Sequence, residues 1–272
     1  MPVVELGDVS LHYRRESPAS GDAPAVLLIA GMASDSASWQ PIMPSLAQRF
    51  DVIAPDNRCS GLTQPMPTKT SREAMLGDLI GLLDTLDIPQ VAIVGHSMGA
   101  MLGWALAAHA PERVTALVAL SGLPEVLPVR VDFFRTMARL RETSHPPDWY
   151  RMLLHALFSP AFFADPVRVE GAVLGALAYA NRQSPEAMTA QAEGLYSFLE
   201  TPPVDRVNCP VLAMTGELDA LTTPLMQERR YAQEPQIEQD IIEDAAHSIH
   251  WEQPAAVVTR ITEFLQRQLP RA

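Results

Sequence analysis

The chain has 272 residues, 47% hydrophobic and 19% charged, a profile that fits one large or two small globular domains and excludes a disordered or collagen-like chain. Twenty basic against 32 acidic residues give a formal charge of −12, a sign that repels phosphate backbones and anionic membrane faces, so neither nucleic acid nor a membrane is an expected partner. Cys59 and Cys209 are the only cysteines, too few for a disulfide scaffold or a cysteine zinc site; reduced thiols in a cytoplasmic protein are expected, with a 59–209 bridge as the lesser alternative.

Residues 1–16 carry Glu5 and Asp8 where a signal peptide would place basic residues before an apolar run, and no stretch reaches the roughly 18 apolar residues of a bilayer span. His12 is placed on an N-terminal ribbon. From residue 25 short apolar runs alternate with helical patterns, as βαβ units do. Strands are expected at Ala25–Ala30, Asp51–Ala54, Val91–Val94 and Val114–Leu120; none shows period-2 polarity, as befits strands covered on both faces. Between them, Met75, Leu79, Leu82, Leu83 and Leu86 line one face of a helix over residues 71–86, and the apolar run 98–109 predicts a buried helix. Strand signals stop after Gly122 and resume at Pro210–Thr215 and Ile237–Ile242, with helices from about Pro224 and over Pro254–Leu269. The division expected is a core of residues 1–122 and 204–272 with a helical cap, 123–203, inserted over the carboxyl ends of the strands, where ligands bind in open α/β sheets.

The chemistry starts at Gly95-His96-Ser97-Met98-Gly99, a G-x-S-x-G sequence set between an expected strand and an expected helix, the context a nucleophile elbow requires. Such a turn lifts the Ser97 hydroxyl above the sheet edge at a helix N-terminus, whose partial positive charge favours a developing oxyanion. A serine needs a base, and the base needs an orienting group. Of seven histidines, His96 is expected to point away on the elbow, and His109, His145 and His155 lie in helical or cap context. His247 follows the last strand in a carboxyl-edge loop, with His250 as its rival. Asp219 follows Pro210–Thr215 and is the chosen acid; Glu217 reads as a surface acid of the same loop, and Glu125, just past Val114–Leu120, is the alternative. Two backbone N–H donors are needed for the oxyanion; Met98 supplies one and Met32, beside the turn-forming Gly31, the other.

These residues give the chain, from about Ala25 to Leu269, a resemblance to the α/β-hydrolase superfamily. Gly31 with Trp39 is similar to its H-G…W region, with Ala30 in place of the histidine. Residues 56–63, Asp-Asn-Arg-Cys-Ser-Gly-Leu-Thr, resemble its D-x-R-G-x-G-x-S loop, with Cys59 and Thr63 as departures, and residues 246–254 are similar to the ending of small-molecule esterases and enol-lactonases. The resemblance implies a mostly parallel eight-stranded sheet flanked by helices and the chain order Ser97, Asp219, His247.

The expected activity is cleavage of a small, mostly apolar carboxylic ester or lactone through an acyl-enzyme, with no metal or organic cofactor, by a monomer or homodimer. Met137, Trp149, Phe158 and Tyr196, with Gly31, are the candidate pocket residues. Seven arginines against nine acids between residues 123 and 203 give no clear demand for a highly charged substrate. Alternatives are an enol-lactonase or carbon–carbon bond hydrolase, which would use the same three residues, and, in a different class, a hydrolase-like small-molecule receptor with slow turnover. Haloalkane dehalogenase and epoxide hydrolase chemistry would need an aspartate where Ser97 stands. A hydroxynitrile lyase would need a lysine at the site, and Lys69, the only lysine, precedes a helix.

Overall fold

Alternation along each strand decides which side of the sheet it feeds. In the computed structural model, which describes residues 2–19, 21–66, 69–200 and 204–269, the N-terminal ribbon forms β1 (Val3–Leu6) and β2 (Val9–Glu16), paired antiparallel. Then follow β3 (Ala25–Ile29), the short helix α1 (Met43–Leu46), β4 (Asp51–Pro55), α2 (Arg72–Thr85), β5 (Val91–His96), α3 (Met98–His109) and β6 (Val114–Leu120). The eight-stranded sheet runs in the order β1-β2-β4-β3-β5-β6-β7-β8, with β7 at Val211–Gly216 and β8 at Ile237–Ile242. β2 meets β4 antiparallel, and every pairing from β4 to β8 is parallel.

Leu27, Ile29 and Ile93 face one apolar cluster, with α2 and α3; Val26, Leu28 and Val94 face the other, with α1 and the last helix. Two such faces are why these strands read as unbroken apolar runs. Ser71 caps α2 by accepting from the Ala74 N–H, and its apolar face seats Met75, Leu79, Leu82 and Leu83. α3 is buried almost all round, as its composition predicts.

Between β6 and β7 lie α4 (Pro128–Thr143), α5 (Pro146–Leu157), α6 (Pro160–Phe163), α7 (Pro166–Ala178) and α8 (Pro185–Gly194). Each of the five opens on a proline, whose fixed φ and missing N–H suit the first turn of a helix. They share a small core of their own, in which Met137, Ala138, Trp149, Met188 and Ala192 are buried. The expected end of this insertion, residue 203, lies outside the described residues. The chain closes with α9 (Pro224–Tyr231), β8, α10 (Ile249–Glu252) and α11 (Pro254–Gln268), whose Val257, Ile261, Phe264 and Leu265 complete the second face. Among the described residues no helix is long and apolar enough to cross a membrane.

Candidate active site

The turn from β5 into α3 holds Ser97 at φ 54° and ψ −116°, a strained backbone for a residue with a Cβ. Close packing makes that turn, and glycine makes the packing. A Cβ on Gly99 would run into the Ile29 carbonyl, and one on Gly95 into the carbonyl of Gly99. Gly122, which the sequence pattern did not single out, lies behind the elbow: its Cβ would stand 2.7 Å from the Ser97 carbonyl oxygen. The Ser97 N–H donates to Leu120 O at 2.9 Å, tying the turn to β6.

His247 sits in the loop after β8, and its Nδ1 lies 2.9 Å from Asp219 Oδ2, both side chains being buried. Asp219 is itself fixed: its Oδ1 accepts from the Leu221 and Thr222 N–H groups at 2.8 Å each, and Thr215 Oγ1 donates to its Oδ2 at 3.3 Å. Burial works against the Asp219 charge, but His247 and these N–H donors together hold its carboxyl below the ordinary value. Gly216 lets the two loops meet, since a Cβ there would strike the Ala245 and Ala246 carbonyls.

His250, the rival base, is brought to Trp39 and His96 instead, with ring centroids 5.0 and 4.6 Å away. Burial, then the neighbouring His96 and His247, keep it well below the usual histidine range. Glu125 is occupied by Arg230 at 3.1 Å, and Glu217 accepts from the Asp244 N–H. His96 does not point away from the elbow. Its Nε2 donates to the His247 carbonyl at 2.9 Å, and burial, followed by the adjacent His247, pushes it down to about 3, so it braces the loop as a neutral ring.

Two cavities meet at Ser97, His247, Met32 and Phe134. One is a pocket of about 50 Å³ that also touches Met98; the other holds about 720 Å³ under the helical insertion. Of the expected pocket residues, Trp149 and Phe158 line the larger cavity. Met137 and Tyr196 line neither. Met137 lies in the insertion's own core, its carbonyl accepting from Trp149 Nε1 at 2.8 Å, and Tyr196 is half exposed with its hydroxyl accepting from Arg135. Both are helical apolar positions that pattern alone does not sort into core, surface and cavity wall. Gly31 stands behind the site: its Cβ would press on Ser97 Cβ at 3.2 Å, and the positive φ of this loop belongs not to Gly31, the expected turn-former, but to Ala33, φ 59°.

The bracing contacts of three residues are not legible in the sequence, because each reaches a partner far away in the chain. Glu252 accepts from Ala246 N at 2.8 Å and from Ser159 N and Oγ at 3.0 and 2.6 Å, joining the His247 loop to the insertion. Fully buried Gln191 accepts from Ala33 N at 3.1 Å and donates to Arg58 O, fixing the loop that carries Met32. Asp56 accepts from Ser36 N, Leu62 N and His12 Nδ1, so the resembling loop is a structural clasp, in which Cys59 takes φ 68° at the glycine position of the pattern. No disulfide joins Cys59 to Cys209, and burial pushes both thiols up to about 11, which keeps them protonated at neutral pH. Among the described residues no three His, Cys, Asp or Glu side chains gather as a metal site.

Residues 24–254 match the profile of the alpha/beta hydrolase fold. The 2-(acetamidomethylene)succinate hydrolase of Mesorhizobium japonicum is 28% identical over 269 residues, 96% of this chain and 94% of that protein. Among solved structures, a thermophilic esterase from Thermogutta terrifontis superposes with a TM-score of 0.84 at 25% identity, covering 98% of this chain and 99% of the other. The enol-lactonase of Burkholderia xenovorans LB400 superposes with a TM-score of 0.82 at 25% identity, covering 97% and 100%.

Proposed function

The chain belongs to the alpha/beta hydrolase fold family, and from that premise we propose that it is a serine hydrolase of small, mostly apolar carboxylic esters or lactones. The observation that carries the reading is the convergence at one cavity of a serine on a strained strand–helix turn and a histidine whose far nitrogen is held by a buried carboxylate. In this scheme His247 Nε2 takes the Ser97 proton as Oγ bonds to the substrate carbonyl carbon, whose π pair moves onto oxygen. The amides of Met32 and Met98 donate to that oxyanion. As the pair returns, the carbon–oxygen bond to the alcohol breaks and His247 hands its proton to the leaving oxygen. Water, deprotonated by His247, then attacks the acyl-enzyme carbonyl, and as the carbon–Oγ bond breaks His247 returns the proton to Ser97 Oγ and the acid departs. Asp219 holds the imidazole in the tautomer that leaves Nε2 free to accept.

Residues 123–203 serve in this reading as a cap, with residues 1–122 and 204–272 as the core that carries the three catalytic groups. Lactones stand beside open-chain esters because the enol-lactonase structure matches this chain over nearly all its length. Hydrolysis of p-nitrophenyl butyrate tests the proposal. Ser97→Ala is expected to lower kcat by about 10⁴-fold or more while leaving the circular dichroism spectrum and melting transition in place. A folded Ser97→Ala protein with undiminished turnover would overturn it.

A further inference from the structure

The wall of the larger cavity has a charge bias that a count over the whole insertion hides. Three arginines line it, Arg141, Arg168 and Arg182, against one carboxylate, Asp35, in a chain of net charge −12. Of the four arginines of the insertion that lie off this wall, Arg135 pairs with Glu193 at 2.7 Å and Arg151 with Glu170, while Arg130 donates to the Ala220 and Leu221 carbonyls and Arg139 to the Thr136 hydroxyl. The Arg141 guanidinium stacks 4.8 Å from the Trp149 ring centre and donates to the Tyr150 hydroxyl at 3.2 Å. Arg168 lies 5.1 Å over the Phe162 ring, and Arg182 donates to the Leu177 carbonyl at 2.8 Å. Among the described residues none of the three makes an ion pair with an acid. Rings and a carbonyl fix the position of a guanidinium and leave its charge uncompensated.

Asp35 is a poor counter-ion for them. It is buried, accepts from Ala37 N and from the Tyr179 hydroxyl at 2.8 Å each, and burial pushes its carboxyl above the ordinary range. A low-dielectric wall carrying unmatched positive charge concentrates anions, and the planar guanidinium fork matches the two oxygens of a carboxylate. We infer that the substrate is an ester or lactone that carries a free carboxylate on an otherwise apolar body, and that Arg141, with Arg168 and Arg182 nearer solvent, determines this specificity. Half-buried Arg141 is the principal contact, because water screens the two exposed ones more strongly.

The inference rests on the hydrolase reading for the reacting bond but is tested without turnover. Two matched pairs are titrated calorimetrically into the Ser97→Ala protein: p-nitrophenyl hexanoate against the mono-p-nitrophenyl ester of adipic acid, and phenyl acetate against 4-acetoxybenzoate. The first places the charge on the acyl half, the second on the alcohol half. In at least one pair the carboxylate member is expected to bind about tenfold tighter or more at low salt. That advantage should shrink as salt rises and fall most of the way to unity when Arg141→Gln is added. Equal or weaker binding of the carboxylate member in both pairs overturns the inference. So does an advantage untouched by substituting Arg141, Arg168 and Arg182 together with glutamine. Tight, arginine-dependent carboxylate binding with no turnover by the protein carrying Ser97 would leave the carboxylate-recognising wall standing and remove the hydrolase reading, and with it the ester or lactone, instead.

Discussion

β5 buries all six of its residues, whereas α5 buries only Trp149 of its twelve and α7 only Val173 of its thirteen. β5 lies between β3 and β6 with a helix-backed apolar cluster on each face, so its side chains are constrained on every side and a residue at its carboxyl end has one direction to point. In the insertion, α4 packs on α8 and α5 on α7 around a core of a few side chains, and much of each helix faces water or the cavity. Under the proposed mechanism the difference separates two tasks: the sheet would hold Ser97, Asp219 and His247 where only a small displacement is tolerable, while the insertion would supply the wall against which the ligand lies.

That contrast is sharpest in catalysis. Asp219→Asn keeps the shape of the side chain but offers His247 the wrong hydrogen-bond partner, and kcat for an ester substrate should fall by about 10³–10⁴-fold with KM little changed; a loss below tenfold would mean that the sheet-borne acid is not the orienting group. Stability gives the next test. Gly99→Ala drives a methyl into the Ile29 carbonyl and should lower the unfolding free energy by about 3 kcal/mol or more in urea titration.

Acid should act on the same region. His96 is held down to about 3 in the fold, against about 6.5 for a free histidine, so between those values the unfolded chain binds the extra proton. Its share of stability is complete above pH 6.5 and is lost as pH falls, on the order of 3 kcal/mol by pH 4.5. His250 acts in the same direction. His96→Asn should flatten the pH dependence of the urea midpoint, and an unchanged slope would break this account of the histidine cluster. The smallest effect belongs to the insertion: Val167→Ser, at a residue 81% exposed on α7, should shift stability by no more than about 0.5 kcal/mol. A large loss there would show that the insertion is packed as tightly as the sheet.

Legibility in sequence followed the same divide. The alternation of apolar strands and helices was readable because both faces of the sheet are covered, and Gly95-x-Ser97-x-Gly99 was readable because no other residue fits against the Ile29 and Gly99 carbonyls. Asp219 and His247 stood out as polar residues directly after strands, and the structure brings that pair to hydrogen-bonding distance. Contacts made across many residues left no local trace: His96 under the His247 carbonyl, Gln191 on Ala33, and Glu252 on Ser159. In the insertion, sequence pattern marked Met137, Trp149, Phe158 and Tyr196 alike, yet Met137 lies in the core, Trp149 in both the core and the cavity wall, Phe158 on the cavity wall and Tyr196 at the surface. Composition balanced the arginines against the acids, but which of them share a wall is decided by how the helices pack.

Covalent labelling of the nucleophile tests the central claim most directly. The protein is treated with a fluorophosphonate and digested, and the adduct is located by mass spectrometry. The account predicts a single modified residue, Ser97, with labelling slowed by at least about 10³-fold in a folded His247→Ala protein. Modification at another residue, or Ser97 labelling at an unchanged rate without the imidazole, would contradict it.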